Sequence, residues 1–327
     1  MYFSAHHLDQ FMKNEKILVT GAAGQLGTEL IQGLWKYYGK EKVVATDIKE
    51  PRGILAEGNF EILDVMKQKN LETLLQGGGF TQIYHLAAVL SATGEKNPKQ
   101  AWRLNMESLI HVLDASVAAR IQKVYWPSSI AVFGPSTPKK NTPQYTIMDP
   151  MTIYGISKQA GERWCEWYFQ NHGLDVRSLR YPGLIGYKTQ PGGGTTDYAV
   201  DIFLKAVKEK KYECFLEPDT YLPMMYMDDA VKATINLMEA PSEKIKVRSS
   251  YNVTAMSFCP SEIADEIKKQ VPDFEITYKA DFRQDIADSW PDSIDDSNAR
   301  QDWGWQPGYD LEKMSATILE NLVGSME

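Results

Sequence analysis

The chain has 327 residues, 43% of them apolar and 24% charged, enough for one large or two modest soluble domains with a real core. A net charge of −8 argues against nucleic acid or an anionic membrane surface as the main partner, because both attract a basic face. Three scattered cysteines (Cys165, Cys214 and Cys259), five unclustered histidines and the lack of any apolar run near ~18 residues point away from a disulfide scaffold, a metal centre and a membrane span.

MYFSAHHLDQFMKNE at the start lacks the apolar core of a signal peptide, so residues 1–13 are expected to be an extension and the cytoplasm the compartment. KILVTG (16–21) predicts a buried strand. QLGTELIQGLWKYYG (25–39) predicts a helix with Leu26, Leu30 and Leu34 on one face. KVVATD (42–47) and NFEILD (59–64) are further strands, and a helix runs through Leu71, Leu74 and Leu75. TQIYHLAA (81–88) is the fourth strand, a long helix covers about 98–119, and KVYWPSS (123–129) is the fifth strand. A helix carrying Tyr154 and a strand LDVRSLRY (174–181) follow. This alternation predicts an α/β chain with a parallel, doubly wound Rossmann sheet over 14–181. Beyond 181 the rhythm breaks at the loop-like GYKTQPGGGTTDY. Helices near 197–210, 228–239 and 260–270 mix with short strands at 250–254 and 274–279. Residues 182–327 therefore read as a smaller mixed, mainly substrate-binding lobe, with segments returning to the sheet.

GAAGQLG (21–27) is G-x-x-G-x-x-G between a strand and a helix. Gly21 serves a tight turn, Gly24 an approach to pyrophosphate and Gly27 close helix packing, with Gln25 and Leu26 opening the helix. Asp47 ends the second strand, where a carboxylate accepts from the adenosine ribose hydroxyls and repels the extra phosphate of NADP, so NAD is the expected cofactor. Ile48 stands beside it. Asp64 and Val65, after the third strand, are expected near the adenine. Leu86, Ala87 and Ala88, after the fourth, are expected along the cofactor.

Tyr154 and Lys158 stand four apart on one helical face. A free phenol near pKa ~10 is a poor base at neutral pH, and a nearby ammonium is expected to lower it. Ser128 and Ser129 end the fifth strand at the sheet's ligand-binding edge, placed to hold a substrate oxygen. Together they suit oxidation of an alcohol, with proton to Tyr154 and hydride to the cofactor.

The glycine loop, Asp47, LAA, Ser128-Ser129 followed by AVFG, and YGISK resemble the extended short-chain dehydrogenase/reductase superfamily, as does GWQPGYDLE (304–312). The resemblance implies Tyr154 as acid/base, Lys158 as its partner, Ser129 as the catalytic serine with Ser128 beside it, and Asn105 as support for the lysine. It implies cofactor contacts from Tyr181, and a homodimer through the helices at 98–119 and around Tyr154, with Trp164, Trp167 and Tyr168 suited either to that interface or to the core.

LPMMYMDDA (222–230) lacks the arginine of the epimerase pattern, and RYPGLIG (180–186) replaces its Y-F-N. PSSIAVFGPSTPK, MDPMTIYGISKQAGE and RYPGLIGYKTQPGGGTTDYAVDIF are similar instead to the short-chain type of L-threonine 3-dehydrogenase. That likeness implies NAD-dependent oxidation of the threonine hydroxyl to 2-amino-3-oxobutyrate, which leads to aminoacetone or glycine. Ser91, Thr195 and Thr196 are then candidates for the amino acid's carboxylate, Trp290 for a cover, and 190–196 for a closing loop. A UDP-sugar epimerase/dehydratase is the alternative, and an NAD-sensing module a third reading. Asp228-Asp229 reads as a helix N-terminal cap.

Overall fold

The computed structural model describes residues 15–188, 192 and 194–324. The 1–13 extension lies outside them, as do residues 190, 191 and 193 of the expected closing loop at 190–196. Six strands form one parallel sheet in the order β3-β2-β1-β4-β5-β7, with β1 Ile17–Thr20, β2 Val43–Asp47, β3 Asn59–Ile62, β4 Gln82–His85, β5 Lys123–Tyr125 and β7 Asp175–Arg177. β6 is Ser128–Ser129, in a smaller sheet.

Every residue of β1 is buried, because helices cover both faces of the sheet. On one face α1 (Gln25–Tyr38) brings Leu30 and Leu34 against Val19 and Tyr84. On the other, α2 (Gln68–Gly78), α3 (Pro98–Ala118) and α4 (Ile153–His172) bring Leu71, Leu109 and Cys165 against Leu18 and Val124. Asn97 caps α3 ahead of Pro98. Thr152 caps α4 by accepting from the Gly155 N–H, and Gly173 ends it in the left-handed region. Chain order reverses between β1 and β4, so their carboxyl ends open a crevice where such sheets bind ligands.

Two expected strands each divide. KVYWPSS leaves the large sheet after the Trp126 N–H donates to Arg177 O, because Pro127 has no N–H to continue the ladder. Ser128 and Ser129 then pair with Arg180 and Tyr181 of β8 (Leu179–Tyr181), which also pairs with β12 (Tyr251–Asn252). LDVRSLRY likewise splits at Ser178 into β7 and β8.

The loop-like reading after 181 omits β9 (Gly183–Ile185), which pairs with β11 (Leu222–Tyr226), itself paired to β13 (Met256–Phe258). β10 (Lys211–Cys214) and β14 (Glu275–Tyr278) form a further pair. α5 (Tyr198–Glu209) and α7 (Pro260–Lys268) pack in a second core with Phe203, Phe258 and Ile263. α6 (Met227–Glu239) returns to pack on α1. Tyr226 occupies its cap position. The Asp229 carboxylate accepts instead from the N–H groups of Gly308 and Tyr309, fastening the GWQPGYDLE segment.

The three cysteines are buried and unpaired with one another. Among the described residues there is no metal-type cluster, and no helix is long and apolar enough to cross a membrane.

Candidate active site

A cavity of about 240 Å³ opens at the crevice. The loop after β1 supplies its floor through Gly21, Gly24, Gln25, Leu26 and Gly27, and Leu86 and Ala88 follow β4. Gly21 has φ +71°, and a Cβ there would stand 2.5 Å from the Ala87 nitrogen, so the two loops close on each other only with glycine at 21. The N-cap of α1, Gly24, offers no side-chain hydrogen bond, and no acidic residue stands in the first turn, which leaves the helix N-terminus to an anion.

Asp47 lies beside this loop. Its Oδ2 accepts from Ala23 N at 3.0 Å and its Oδ1 from Lys49 N at 3.1 Å. Neither Asp47 nor the other expected adenine-side residues line the cavity itself. Ile48 is exposed at the strand end. Asp64 spends Oδ1 on the Met66 N–H in a local turn. Val65 is buried, and its carbonyl meets His111 Nδ1.

Ser129, Tyr154 and Lys158 share one wall. Ser129 Oγ is oriented by the Ala131 N–H at 3.2 Å, and its hydroxyl acts on the Tyr154 phenol to favour the ionised form. Lys158 lies with Nζ 5.5 Å from the Tyr154 ring centre and donates to the Pro127 carbonyl. The expected lowering of the phenol is not what the chain's own groups produce. Burial pushes Tyr154 up to about 12, and the neighbouring Ser129 hydroxyl offsets only part. Burial pushes Lys158 down to about 7. In both cases desolvation of the charged form outweighs the neighbours.

Two expected site residues spend their polar atoms on partners within the chain. Ser128 reaches the cavity wall, but its hydroxyl donates to buried Glu162 at 2.6 Å, so its polar atom is committed behind the wall. Asn105 does not line the cavity. Its Oδ1 accepts from Val89 N at 2.8 Å, and its Nδ2 donates to Val89 O and Ser157 Oγ, each at 3.2 Å. It ties the loop after β4 to the catalytic helix. Tyr181 lines the cavity, but its hydroxyl bonds to Thr234 on α6, away from it.

In the same lining, Ser91 and Thr195 meet with hydroxyl oxygens 3.5 Å apart, although 104 residues separate them. Thr196 and Trp290 complete this part of the lining. The Trp290 carbonyl accepts from Lys139 Nζ at 2.7 Å, which holds the 288–293 segment in place. The cavity also takes in Pro182, Gly183, Asp197 and Met227, which the sequence reading did not select. Asp197 Oδ2 accepts from Gly194 N at 2.8 Å and shapes the turn that presents Thr195. Its signal was an aspartate just before a helix, directly after GGGTT.

A family model described as NAD dependent epimerase/dehydratase matches residues 17–254. The chain belongs to that family. A Staphylococcus saprophyticus relative called an uncharacterized epimerase/dehydratase is 49% identical over 313 residues, 95% of this chain and 98% of its own. Among solved structures, a partial consensus L-threonine 3-dehydrogenase is 57% identical with a TM-score of 0.93, covering 94% of this chain and 99% of its own. The holo form of a GalE-like L-threonine dehydrogenase from Cupriavidus necator is 56% identical with a TM-score of 0.92 and the same coverage. As a family member the chain implies an NAD(H) site. The glycine floor, the uncapped helix start and Asp47 at the loop fit a dinucleotide.

Proposed function

We propose that this chain oxidises the side-chain hydroxyl of L-threonine to 2-amino-3-oxobutyrate with NAD, in the cytoplasm, as a step toward glycine or aminoacetone. The carrying observation is that one cavity is lined by Ser129, Tyr154 and Lys158 together with the paired hydroxyls of Ser91 and Thr195. The likeness to solved threonine dehydrogenases supports this choice of alcohol.

In this reading Ser91, Thr195 and Thr196 hold the amino acid's carboxylate, and Trp290 covers it. Ser129 donates to the hydroxyl oxygen and fixes its direction. Tyr154 takes the hydroxyl proton as the C–H bond breaks. NAD bound here would supply the hydride acceptor and a positive charge that favours the ionised phenol. Lys158 holds the nicotinamide ribose and favours the ionised phenol. Asp47 selects NAD over NADP by repelling the extra phosphate. Two copies pair through α3 and α4, where Trp102, Trp164 and Trp167 are 39%, 38% and 45% exposed.

The test is absorbance of reduced nicotinamide with purified chain, NAD and L-threonine, beside D-threonine, L-serine and UDP-glucose. Growth of the signal much faster with L-threonine supports the reading. No signal with L-threonine, or binding and epimerisation of UDP-glucose, overturns it.

A further inference from the structure

Glu162 stands four residues after Lys158 on α4, a spacing at which lysine and glutamate commonly pair. Here they do not. Glu162 Oε1 accepts from Ser128 Oγ at 2.6 Å and Arg180 Nε at 2.8 Å, and its Oε2 accepts from Arg180 Nη2 at 2.8 Å. Lys158, 2% exposed, turns to neutral partners instead. Nζ donates to the Pro127 carbonyl and lies 4.3 Å from the centre of the Trp126 ring. Trp126 is buried too. Its ring has room because residue 161 is glycine: a Cβ there would stand 2.3 Å from the indole Cη2.

We infer that Trp126 is a positioning residue for Lys158, its indole face holding the ammonium at the cleft wall and favouring the charged form. The negative face of an indole attracts a cation and gains little from a neutral amine, and the attraction strengthens where water is excluded. The groups facing Lys158 leave this contact consequential. From α4 these are Tyr154, Glu162 and Cys165, and from β4 His85. Glu162 favours the ammonium but is shared with Arg180. Burial keeps Cys165 a thiol, and burial pushes His85 down to about 3, so it is neutral near pH 7. Against them stands the burial that pulls Lys158 down to about 7, inside the range where its charge is undecided. The inference rests on the reading of Lys158 as partner of Tyr154, but its test needs no turnover.

The test is a chemical-shift titration of the Lys158 Nζ in the full labelled chain, assigned by its loss in Lys158→Met. It compares wild type with Trp126→Leu, Trp126→Phe and Gly161→Ala. Trp126→Leu removes the π face and should lower the midpoint by about one pH unit. Trp126→Phe keeps a weaker face and should fall between. Gly161→Ala keeps the indole but displaces it, and should move the midpoint the same way. A midpoint unchanged or raised in folded Trp126→Leu overturns the inference. If that variant does not fold, Trp126→Phe and Gly161→Ala decide: both lowered supports it, both unmoved overturns it. Because threonine is absent throughout, a chain that fails to oxidise threonine still answers this question.

Discussion

The Asp47 carboxylate accepts from the Ala23 N–H, joining the end of β2 to the glycine loop. One oxygen braces the loop from below, and the other is bonded to Lys49 N. The side chain is therefore fixed at the end of β2, against the glycine loop. Asp47→Ala removes both the brace and the charge that repels a 2′-phosphate. NAD affinity is expected to fall about tenfold or more, with NADP gaining relative to NAD. Equilibrium titration with each dinucleotide measures the ratio, and an unchanged ratio means selection lies elsewhere.

Tyr154→Phe removes the phenol and leaves the ring in the cavity wall. Loss of a positioned acid/base is expected to cost on the order of 10²–10⁴ in turnover. NAD affinity should change little, since the ring and Lys158 stay. Initial rates with L-threonine, beside a NAD titration, separate the two effects. Turnover within a few-fold of wild type would remove Tyr154 from the chemistry.

Local features of the site are legible in the residue order. A glycine spacing between strand and helix, or a tyrosine four residues before a lysine, is written within one turn or one loop. Pro127 carries the break between β5 and β6 in the same local way, since it cannot extend a ladder, although KVYWPSS reads as one strand. What escaped is set by distant partners. The resemblance already chooses Ser129 over Ser128, but that the Ser128 hydroxyl is spent on Glu162, 34 residues away, is seen only in the fold. Asn105 looked like a polar helix position, and only packing against Val89 and Ser157 gives it a task. The proton affinity of Tyr154 depends on how deeply it is buried, which no spacing encodes.

The Glu162–Arg180 pair is buried on both sides and also receives Ser128, while Arg180 Nη1 donates to Gln144 O and Asn252 Oδ1. It fastens α4, β6, β8 and the smaller lobe at one point. Glu162→Gln keeps the shape and strands the guanidinium without a counter-charge. It should cost about 3–5 kcal/mol of stability. Lys205→Gln breaks a pair whose side chains are 46% and 55% exposed, and should cost ~0–1 kcal/mol. Urea unfolding of both variants checks the ranking, and equal costs would show the buried pair is cushioned by its hydrogen bonds.

His85 is buried between Thr20 Oγ1 at 2.7 Å and Ser108 Oγ at 3.1 Å. Burial first, then Lys158, pushes it from 6.5 down to about 3. The folded chain thus resists a proton that the unfolded chain accepts. Its contribution is complete above pH 6.5 and is lost as pH falls toward 3. The loss across that window is up to about 1.4 kcal/mol for each pH unit. His85→Asn has no proton to gain, so its deficit relative to wild type should shrink between pH 7 and pH 4. Urea titrations at each pH give the difference, and a constant deficit would contradict a buried neutral histidine.

Gly183 shows how closely the cavity wall is fitted. A Cβ there would stand 2.3 Å from Met224 Sδ and 2.8 Å from Thr196 Cγ2. Met224 is a flexible side chain in the adjacent strand and can yield. Thr196 cannot move without shifting its neighbour Thr195, which is held against Ser91. Gly183→Ala therefore reaches the substrate side while leaving the glycine loop and Asp47 untouched. On the threonine reading, KM for L-threonine should rise about tenfold, the weight of one or two weakened hydrogen bonds. NAD affinity should stay within about twofold, because the substitution presses on Met224 and Thr196 and on none of the glycine-loop residues. Steady-state rates over a threonine series, with NAD saturating and then varied, make the comparison. A rise confined to the KM for NAD would place Thr195 and Thr196 on the cofactor, and no change in either constant would separate both threonines from binding.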